Sequence, residues 1–283
     1  MADSYLMRRR QELKALLNAE RRVRGQRPRV GLALGGGVAR GPAHIGALIA
    51  LEQAGIPIDC VAGTSAGAVV GAAYCAGLSL MRIRELSLAT RWWRVADLVL
   101  PLHGFITFQP MEHWLESQIG VLSIEDLAVP FTAVAMDLTT GEPILLKEGP
   151  LSRAVRASCS VPGFVEPVWH NGRWLCDGGV VDNLPVAAVK TMNPDYIIGV
   201  DLFTPAHNRR LGPLGPGSTA LEMLIQGAGA GVYDADCVIA PQLSGKSYFR
   251  FGYTQEYIRL GIEAAQKMIP QIKKDLGMCE GEE

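Results

Sequence analysis

Two short apolar runs, each followed by small residues and then by a helical pattern, constrain the fold of this 283-residue chain more than any other feature. The run "VGLAL" leads into "GGGVARG" and a helical pattern that begins at Pro42. The run "IDCVAG" leads into "AGAVVGAAYC", which is rich in helix-forming alanine. Strands and helices that alternate at this spacing predict a βαβα unit with two parallel strands.

The rest of the chain continues this alternation. "PFTAVAMDL" and "PILLKEG" flank the turn "TTGE" and predict a β-hairpin, and "RWLCDGG", "DYIIGVDLF" and "DCVIAP" predict further strands. Helical patterns separate these strands. The last of them, residues 254–276, contains Pro270, which we expect to kink or divide the helix. Residues 204–217 are rich in proline and glycine and predict a loop. The pattern as a whole predicts one α/β domain.

Composition and charge exclude several classes of function. The formal net charge is -1, so no overall positive charge favours a nucleic-acid partner. Every apolar run is interrupted well before the length of about 18 residues that a membrane-spanning helix needs. The six cysteines have no CxxC or zinc-like spacing, and no apolar signal segment follows the N-terminus. We therefore expect free thiols, a cytoplasmic location and no segment that crosses a membrane.

The first 28 residues differ in composition from the rest and predict a basic amphipathic helix. Arginines are frequent there, and Leu6, Leu13 and Leu17 recur at near-helical spacing. Such a helix can pack its leucines on the domain or contact an anionic membrane surface from one side, and the sequence leaves both open. The domain itself is predicted to span residues 29–283.

A second segment, residues 88–108, concentrates apolar side chains and contains few acids. It includes Trp92, Trp93, Phe105 and Phe108. Clusters of this kind either cover a sheet face as part of the core or form a flap that faces lipid. The sequence does not decide whether this segment forms a lid over a site.

The glycine loop after the first strand pattern has the composition of an anion-binding loop. Its amides, from Gly35 to Gly37, precede a helix and can face a negative charge. A dinucleotide-binding loop needs a third glycine where this chain has Arg40, and the Gly-Lys-Ser/Thr of a Walker loop is missing. Another use of such amides is an oxyanion hole, which stabilises the alkoxide formed when a nucleophile attacks an acyl carbonyl.

Ser65 is the candidate nucleophile for that chemistry. It lies in "GTSAG", a Gly-x-Ser-x-Gly sequence between the second strand pattern and a helix. Because neighbouring parallel strands end at the same edge of a sheet, we expect the loops that follow them to lie side by side. The glycine loop would then lie beside Ser65.

A nucleophilic serine needs a base, and the residues leave two kinds open. A histidine placed after the acid, towards the C-terminus, would be His207, whereas His44 has the position of a structural residue in a helix. His170 precedes a turn, where a surface role and a supporting role fit equally well. A carboxylate base would be Asp177 in "WLCDGG", because the two glycines permit another loop to approach closely.

Together, "LALGGGVARGPAHIGAL", "GTSAG" and "CDGGVVDNLP" resemble the patatin-like phospholipase family in order and in spacing. The similarity continues through "AMDLTTGE", "AVRASCSVPGFVEPV" and "DYIIGVD", so that it covers residues 29–202 and, more weakly, the C-terminal helices. The compact length is similar to that of short bacterial members. The resemblance implies an α/β fold of three layers (αβα), with a central, mostly parallel sheet.

The resemblance also implies roles for the site residues. Ser65 would be the nucleophile and Asp177 the base of a Ser-Asp dyad that needs no catalytic histidine, no metal and no cofactor. Arg40 would brace the glycine loop or pair with a substrate phosphate. Four amides would form the oxyanion hole, those of Gly35, Gly36, Gly37 and Val38.

The implied activity is that of a serine lipid acyl hydrolase of the phospholipase A or esterase type. Its substrates would be phospholipids, lysophospholipids or other acyl esters. A thioesterase or an acyltransferase would use the same dyad with a different acyl donor or acceptor. A lipid-binding scaffold without catalysis would keep the fold alone. The sequence leaves these alternatives open.

Overall fold

The computed structural model describes residues 27–100, 102–203, 215–246, 248 and 250–278. All but the last two residues of the predicted N-terminal helix, residues 1–28, lie outside this part. The domain boundary at residue 28 therefore stays a prediction.

An eight-stranded sheet forms the centre of the described part of the chain, and a two-stranded ribbon lies apart from it. The strands in chain order are β1 (Val30–Leu34), β2 (Cys60–Thr64), β3 (Asp97–Leu98), β4 (Ile106–Thr107), β5 (Phe131–Asp137), β6 (Pro143–Leu146), β7 (Val168–His170), β8 (Arg173–Asp177), β9 (Tyr196–Val200) and β10 (Cys237–Ile239). Their order across the sheet is β10-β9-β1-β2-β5-β8-β7, with β6 paired to β5, and the ribbon consists of β3 and β4.

The sheet is mostly parallel. Its four pairings from β10 through β9, β1 and β2 to β5 are parallel, whereas β5 pairs with β6 and β8 in antiparallel fashion, as β7 does with β8. The predicted βαβα unit contains the parallel pair β1 and β2, and the predicted hairpin is the β5 and β6 pair. Both predictions are confirmed.

Helices pack on both faces of this sheet. In chain order they are α1 (Pro42–Gln53), α2 (Ala66–Cys75), α3 (Leu80–Ala89), α4 (Trp92–Val95), α5 (Gln109–Ile119), α6 (Leu151–Cys159), α7 (Val186–Lys190), α8 (Gly215–Gly227), α9 (Gly231–Asp234) and α10 (Thr254–Leu276). Successive side chains of β1 point to opposite faces. Leu32 and Leu34 join the core with α1, α2 and α10, while Ala33 joins the core with α7. The three-layer fold is confirmed.

The helix that follows the glycine loop, α1, crosses α10 at a pair of glycines. A Cβ atom added at Gly46 would lie 2.0 Å from the carbonyl oxygen of Ile258, and one added at Gly261 would lie 2.0 Å from that of Ala43. The two helix backbones therefore lie closer together than side chains would permit. This contact holds α1, and with it one end of the glycine loop, against the rest of the domain.

The structure differs from the predicted elements in four places. α10 is one continuous helix with Pro270 inside it, because buried side chains on both sides of the proline, such as Ala265 and Ile272, keep it packed on the core. The expected division of this helix is therefore wrong. α8 begins at Gly215, inside the predicted loop, of which residues 204–214 lie outside the described part. The ribbon of β3 and β4 and the short strand β7 were not predicted.

Candidate active site

Ser65 lies on a sharp turn between β2 and α2. Its backbone has φ 52° and ψ -119°, a conformation that a residue with a side chain adopts at a cost of about 1–3 kcal/mol. The flanking glycines make the turn possible. A Cβ atom at Gly67 would lie 2.0 Å from the carbonyl oxygen of Leu34, and one at Gly63 would lie 2.5 Å from the carbonyl oxygen of Gly67. The small residues therefore allow α2 to begin against the end of β1.

A second serine, Ser158 on α6, holds this turn. The N–H of Ser65 donates to Oγ of Ser158 at 2.9 Å, and the Ser158 hydroxyl donates to the carbonyl oxygen of Val134 at 2.6 Å. The buried Ser65 amide thus has a partner although the turn removes it from regular secondary structure. Ser158 was not among the predicted site residues. Its sequence signal is the small-residue run "ASCS" near the end of a helical pattern.

Asp177 ends β8 and lines the same cavity as Ser65. Its carboxylate accepts the N–H of Gly179 at 2.8 Å and interacts with the Ser65 hydroxyl, and its own N–H donates to the carbonyl oxygen of Ser160 at 2.8 Å. Burial raises the pKa of Asp177 to about 6, although the hydrogen bonds from Ser65 and Gly179 oppose the rise. A carboxylate with this pKa is a stronger base than an ordinary aspartate.

The glycine loop lies beside Ser65, but two of its four amides are already occupied. The N–H of Gly35 donates to the carbonyl oxygen of Val200, and that of Gly36 donates to the carbonyl oxygen of Asn183, each at 3.1 Å. These bonds attach the loop to β9 and to the chain after β8. The expectation that Gly35 and Gly36 contribute oxyanion donors is therefore corrected, because their amides are engaged by the protein itself.

Gly37 and Val38 carry the other two amides of the loop. Within the described ranges, no backbone carbonyl accepts either N–H. Val38 has φ 50°, which is unusual for a β-branched residue, so strained backbone occurs on both sides of the site, at Val38 and at Ser65. Both residues of the loop line the cavity that contains Asp177. Their N–H groups are thus available to an anionic oxygen.

Arg40 is fully buried after the glycine loop. Its guanidinium donates to the carbonyl oxygens of Leu202, Leu243 and Lys246 at 3.2, 3.1 and 2.7 Å, and it stacks on Tyr248 at 3.5 Å from the ring centroid. These contacts brace the loop against two other segments of the chain. The alternative expectation, a contact with a substrate phosphate, is corrected because the buried guanidinium is turned towards backbone carbonyls.

In the described part of the chain, neither His44 nor His170 lines a cavity beside Ser65. His44 is buried, and its Nε2 lies 2.7 Å from the carbonyl oxygen of Gly35, to which it must donate. Burial lowers the pKa of His44 to about 4, so the neutral ring holds the glycine loop. His170 ends β7 and lines neither cavity beside Ser65. His207 lies outside the described residues.

Asn183 and Thr64 connect the loop after β8 to the site, and the sequence patterns did not single out either of them. Asn183 is buried, and a Cβ atom at Gly36 would lie 2.6 Å from its Oδ1. The Thr64 hydroxyl donates to the carbonyl oxygen of Asp182 at 2.9 Å. Burial also raises the pKa of Asp182 to about 7. The signal for this connection is the sequence "VVDNLP" directly after the two glycines.

Two cavities meet at Ser65. We call the smaller one, of about 160 Å³, the inner cavity; it lies between α2, α3 and α5. We call the larger one, of about 630 Å³, the outer cavity; it lies between the glycine loop, Asp177 and α8. Val38, Trp92 and Phe108 line both cavities beside Ser65. The site thus offers a smaller apolar space on one side of the serine and a wider space on the other.

The aromatic segment at residues 88–108 is divided between core and surface. Trp92 and Phe108 stack with ring centroids 6.5 Å apart and line both cavities. Other side chains of the segment face solvent. We call these the apolar rim: Trp93, Leu98, Leu100, Leu102 and Phe105. Part of the segment therefore belongs to the core and part is exposed, and the lipid-facing flap stays a prediction.

The described chain combines a three-layer fold, a glycine loop, a serine on a sharp turn beside that loop, and an aspartate in the same cavity. This combination defines a class of patatin-type proteins. Residues 32–190, more than half of the chain, match the patatin family, which is described as "Patatin-like phospholipase". The chain belongs to the patatin-like phospholipase family, as its motifs predicted.

Curated relatives carry names from one branch of this family. An uncharacterized NTE family protein of Mycobacterium tuberculosis is 42% identical over 188 residues, which are 64% of this chain and 51% of that protein. "Lysophospholipase NTE1" of Debaryomyces hansenii is 37% identical over 179 residues, 61% of this chain and 12% of that protein. "Neuropathy target esterase sws" of Drosophila melanogaster is 36% identical over 181 residues, 61% of this chain and 13% of that protein. The chain thus spans about half the length of the mycobacterial relative.

A solved structure supports the fold. VipD of Legionella pneumophila superposes with a TM-score of 0.53 at 13% identity, covering 87% of this chain and 67% of that one. Among the helices that the structure describes, none has both the length and the apolar character needed to cross a membrane. The cytoplasmic location stays a prediction.

Proposed function

We propose that this chain hydrolyses carboxylic esters of lipids, with Ser65 as the nucleophile and Asp177 as the general base. One observation carries the proposal: Ser65 on a strained turn shares a cavity with a carboxylate whose pKa burial raises to about 6. Family membership supports the class of reaction. The relatives named as a lysophospholipase and as an esterase support a lipid acyl ester as substrate.

The first half of the reaction forms an acyl-enzyme. Ionised Asp177 accepts the hydroxyl proton of Ser65 as the serine oxygen attacks the ester carbonyl. The N–H groups of Gly37 and Val38 stabilise the resulting oxyanion, and removal of one such donor typically lowers the rate by about 100- to 1000-fold. Protonated Asp177 then donates its proton to the departing alcohol, and the acyl group remains on Ser65.

The second half releases the acid. Asp177, ionised again, accepts a proton from a water molecule as that water attacks the acyl-enzyme carbonyl. The tetrahedral intermediate collapses, and the proton returns from Asp177 to the oxygen of Ser65. The outer cavity supports this step because Asp177 lines it together with exposed residues such as Leu98, so water from the surface can reach the carboxylate.

A lipid surface is the proposed place of encounter with the substrate. Trp93 and Leu98 of the apolar rim are 75% and 87% exposed, and both also line the outer cavity. An exposed apolar patch that leads into a cavity is typical of a surface that contacts lipid. A phospholipid, a lysophospholipid or another acyl ester would enter there. Membrane contact through residues 1–28 lies outside the described part of the chain.

The direct test combines labelling and hydrolysis. We expect a fluorophosphonate probe to label Ser65, with the site identified by peptide mass spectrometry, and we expect the protein to hydrolyse p-nitrophenyl butanoate. Ser65→Ala should lose both properties. Asp177→Asn should lose hydrolysis while retaining the wild-type circular dichroism spectrum. His207→Ala serves as the control and should remain active, because the proposed mechanism uses no histidine. Full activity of Asp177→Asn would show that another group is the base.

A further inference from the structure

The inner cavity has a regular wall that the dyad and the oxyanion amides do not explain. The wall contains residues i, i+3, i+4 and i+7 counted from Ala66 on α2, from Met111 on α5 and from Ile83 on α3, where the last of the four lies directly after the helix ends. This spacing places four side chains on one face of α2 and of α5, and three on one face of α3. The three faces are mostly aliphatic and aromatic, and they flank a channel that starts at the nucleophile.

The channel has a near end and a far end. α2 starts directly after Ser65, so Ala73 lies about 10 Å further along the helix axis at 1.5 Å per residue. Trp92 and Phe108 line both cavities. They therefore mark the end of the α3 and α5 walls that lies near Ser65. The far end therefore lies towards Ile83 and Gln118, where the guanidinium of Arg82 donates to Gln118 Oε1 at 3.1 Å.

The proton transfers decide which part of the substrate each cavity receives. Asp177 lines the outer cavity and is not among the described residues that line the inner one. Because the departing alcohol must collect its proton from Asp177, the alcohol has to leave on that side. The acyl chain, on the other side of the carbonyl carbon, is then directed into the inner cavity.

We propose, on the basis of the hydrolase function proposed above, that the inner cavity binds the scissile acyl chain and selects medium-length chains. Its volume is about 160 Å³. An apolar cavity of about 150 Å³ holds one benzene molecule, so the inner cavity accommodates about six to eight acyl carbons. The solvent-exposed pair of Arg82 and Gln118 lies at the far end, where it would limit the length of the chain. Longer chains are excluded unless this pair opens.

The test is the rate of hydrolysis of p-nitrophenyl butanoate, octanoate, dodecanoate and palmitate by the full chain. The wild type should be fastest on octanoate. Val69→Phe, which narrows the middle of the channel, should move the optimum to butanoate, with a loss on octanoate of about fourfold for each methylene excluded. Gln118→Ala, which opens the far end, should raise the rate on dodecanoate relative to octanoate. Hydrolysis of butanoate shows that each variant is folded.

Ile225→Phe is the matched control, because Ile225 lines the outer cavity. It should change the rates on all four esters by a common factor and leave the optimum at octanoate. A shift of the optimum in Ile225→Phe but not in Val69→Phe would place the acyl chain in the outer cavity and overturn the proposal. An optimum at palmitate that Gln118→Ala does not move would overturn the length limit.

If the proposed hydrolase function itself is wrong, the same experiments give a result that differs from failure of the acyl site alone. If wild-type protein neither hydrolyses any of the four esters nor reacts at Ser65 with a fluorophosphonate, the proposed hydrolase function is wrong and the acyl site is rejected with it. Hydrolysis that depends on Ser65 but not on the wall of the inner cavity would reject the acyl site alone.

Discussion

The Asp177 carboxylate is buried beside Ser65, and this makes activity depend on pH in a defined direction. The base must be ionised, so kcat/KM for p-nitrophenyl butanoate should fall about tenfold per pH unit below a pKa of about 6 and level off above it. The neighbouring Cys159 thiol does not contribute, because burial raises its pKa well above the ordinary value. The measurement is a pH profile of kcat/KM.

Asp182→Asn is the control for this profile, since burial also raises the pKa of Asp182, to about 7. Asp182 lines neither cavity in the described part of the chain. The variant should therefore keep the acidic limb near pH 6. Loss of that limb in Asp182→Asn would show that the acidic limb reports the titration of Asp182 and not that of Asp177.

The same burial predicts a pH-dependent change in stability. The folded-state pKa of Asp177 lies above the unfolded value of about 3.9, so the folded state holds the proton more tightly and stability declines as the pH rises from about 4 to 6. A difference of about two pKa units corresponds to about 3 kcal/mol. Asp177→Asn should remove this decline and have a higher free energy of unfolding than the wild type at pH 7.

Ser65→Ala separates this effect from the loss of activity. Both variants are expected to be inactive, but Ser65→Ala retains the buried carboxylate and should keep the decline. Urea unfolding of the three proteins at pH 4, 5, 6 and 7 measures the difference. Parallel curves for the wild type and Asp177→Asn would mean that Asp177 is not desolvated in the folded state.

Among the elements of the fold, the crossing of α1 and α10 is the contact that tolerates least change. A Cβ atom at Gly261 would lie 2.0 Å from a backbone oxygen of α1, so the helices would have to separate. We expect Gly261→Ala to lower the free energy of unfolding by about 3 kcal/mol, as overpacking does in other cores. Gly252→Ala is the matched control, because a Cβ there meets nothing within 4 Å. Equal stability of the two variants in urea would contradict the close crossing.

At the scale of the whole molecule, the apolar rim predicts a difference between soluble and aggregated substrates. Leu100 is 81% exposed in the rim, and Val121 is 83% exposed after α5, outside it. Leu100→Glu should lower the ratio of hydrolysis of dioctanoyl phosphatidylcholine micelles to p-nitrophenyl butanoate hydrolysis by about tenfold, because a charge opposes contact with the apolar part of a lipid aggregate. Val121→Glu should leave the ratio unchanged. Equal ratios in both variants would show that the apolar rim does not contact the lipid.

The parts of the fold and site that were predicted are those with a local signal. The parallel pair β1 and β2, the hairpin of β5 and β6, and the closeness of Ser65 to the glycine loop follow from short patterns and from the rule that parallel strands end at one edge. The local pattern left open whether Pro270 kinks or divides the last helix, and the helix is continuous because packing on the core outweighs the local disruption by proline.

The sequence by itself determined the order of the main elements and the family, and through that resemblance it made Ser65 and Asp177 the candidate pair, because periodicity, turn residues and motifs are properties of neighbouring residues. Only the tertiary structure decided which amides of the glycine loop remain free, that Arg40 braces the loop, and which residues line the inner cavity. It also decided the raised pKa of Asp177. These properties depend on hydrogen bonds and burial between segments that lie far apart in the chain, and no local pattern records them.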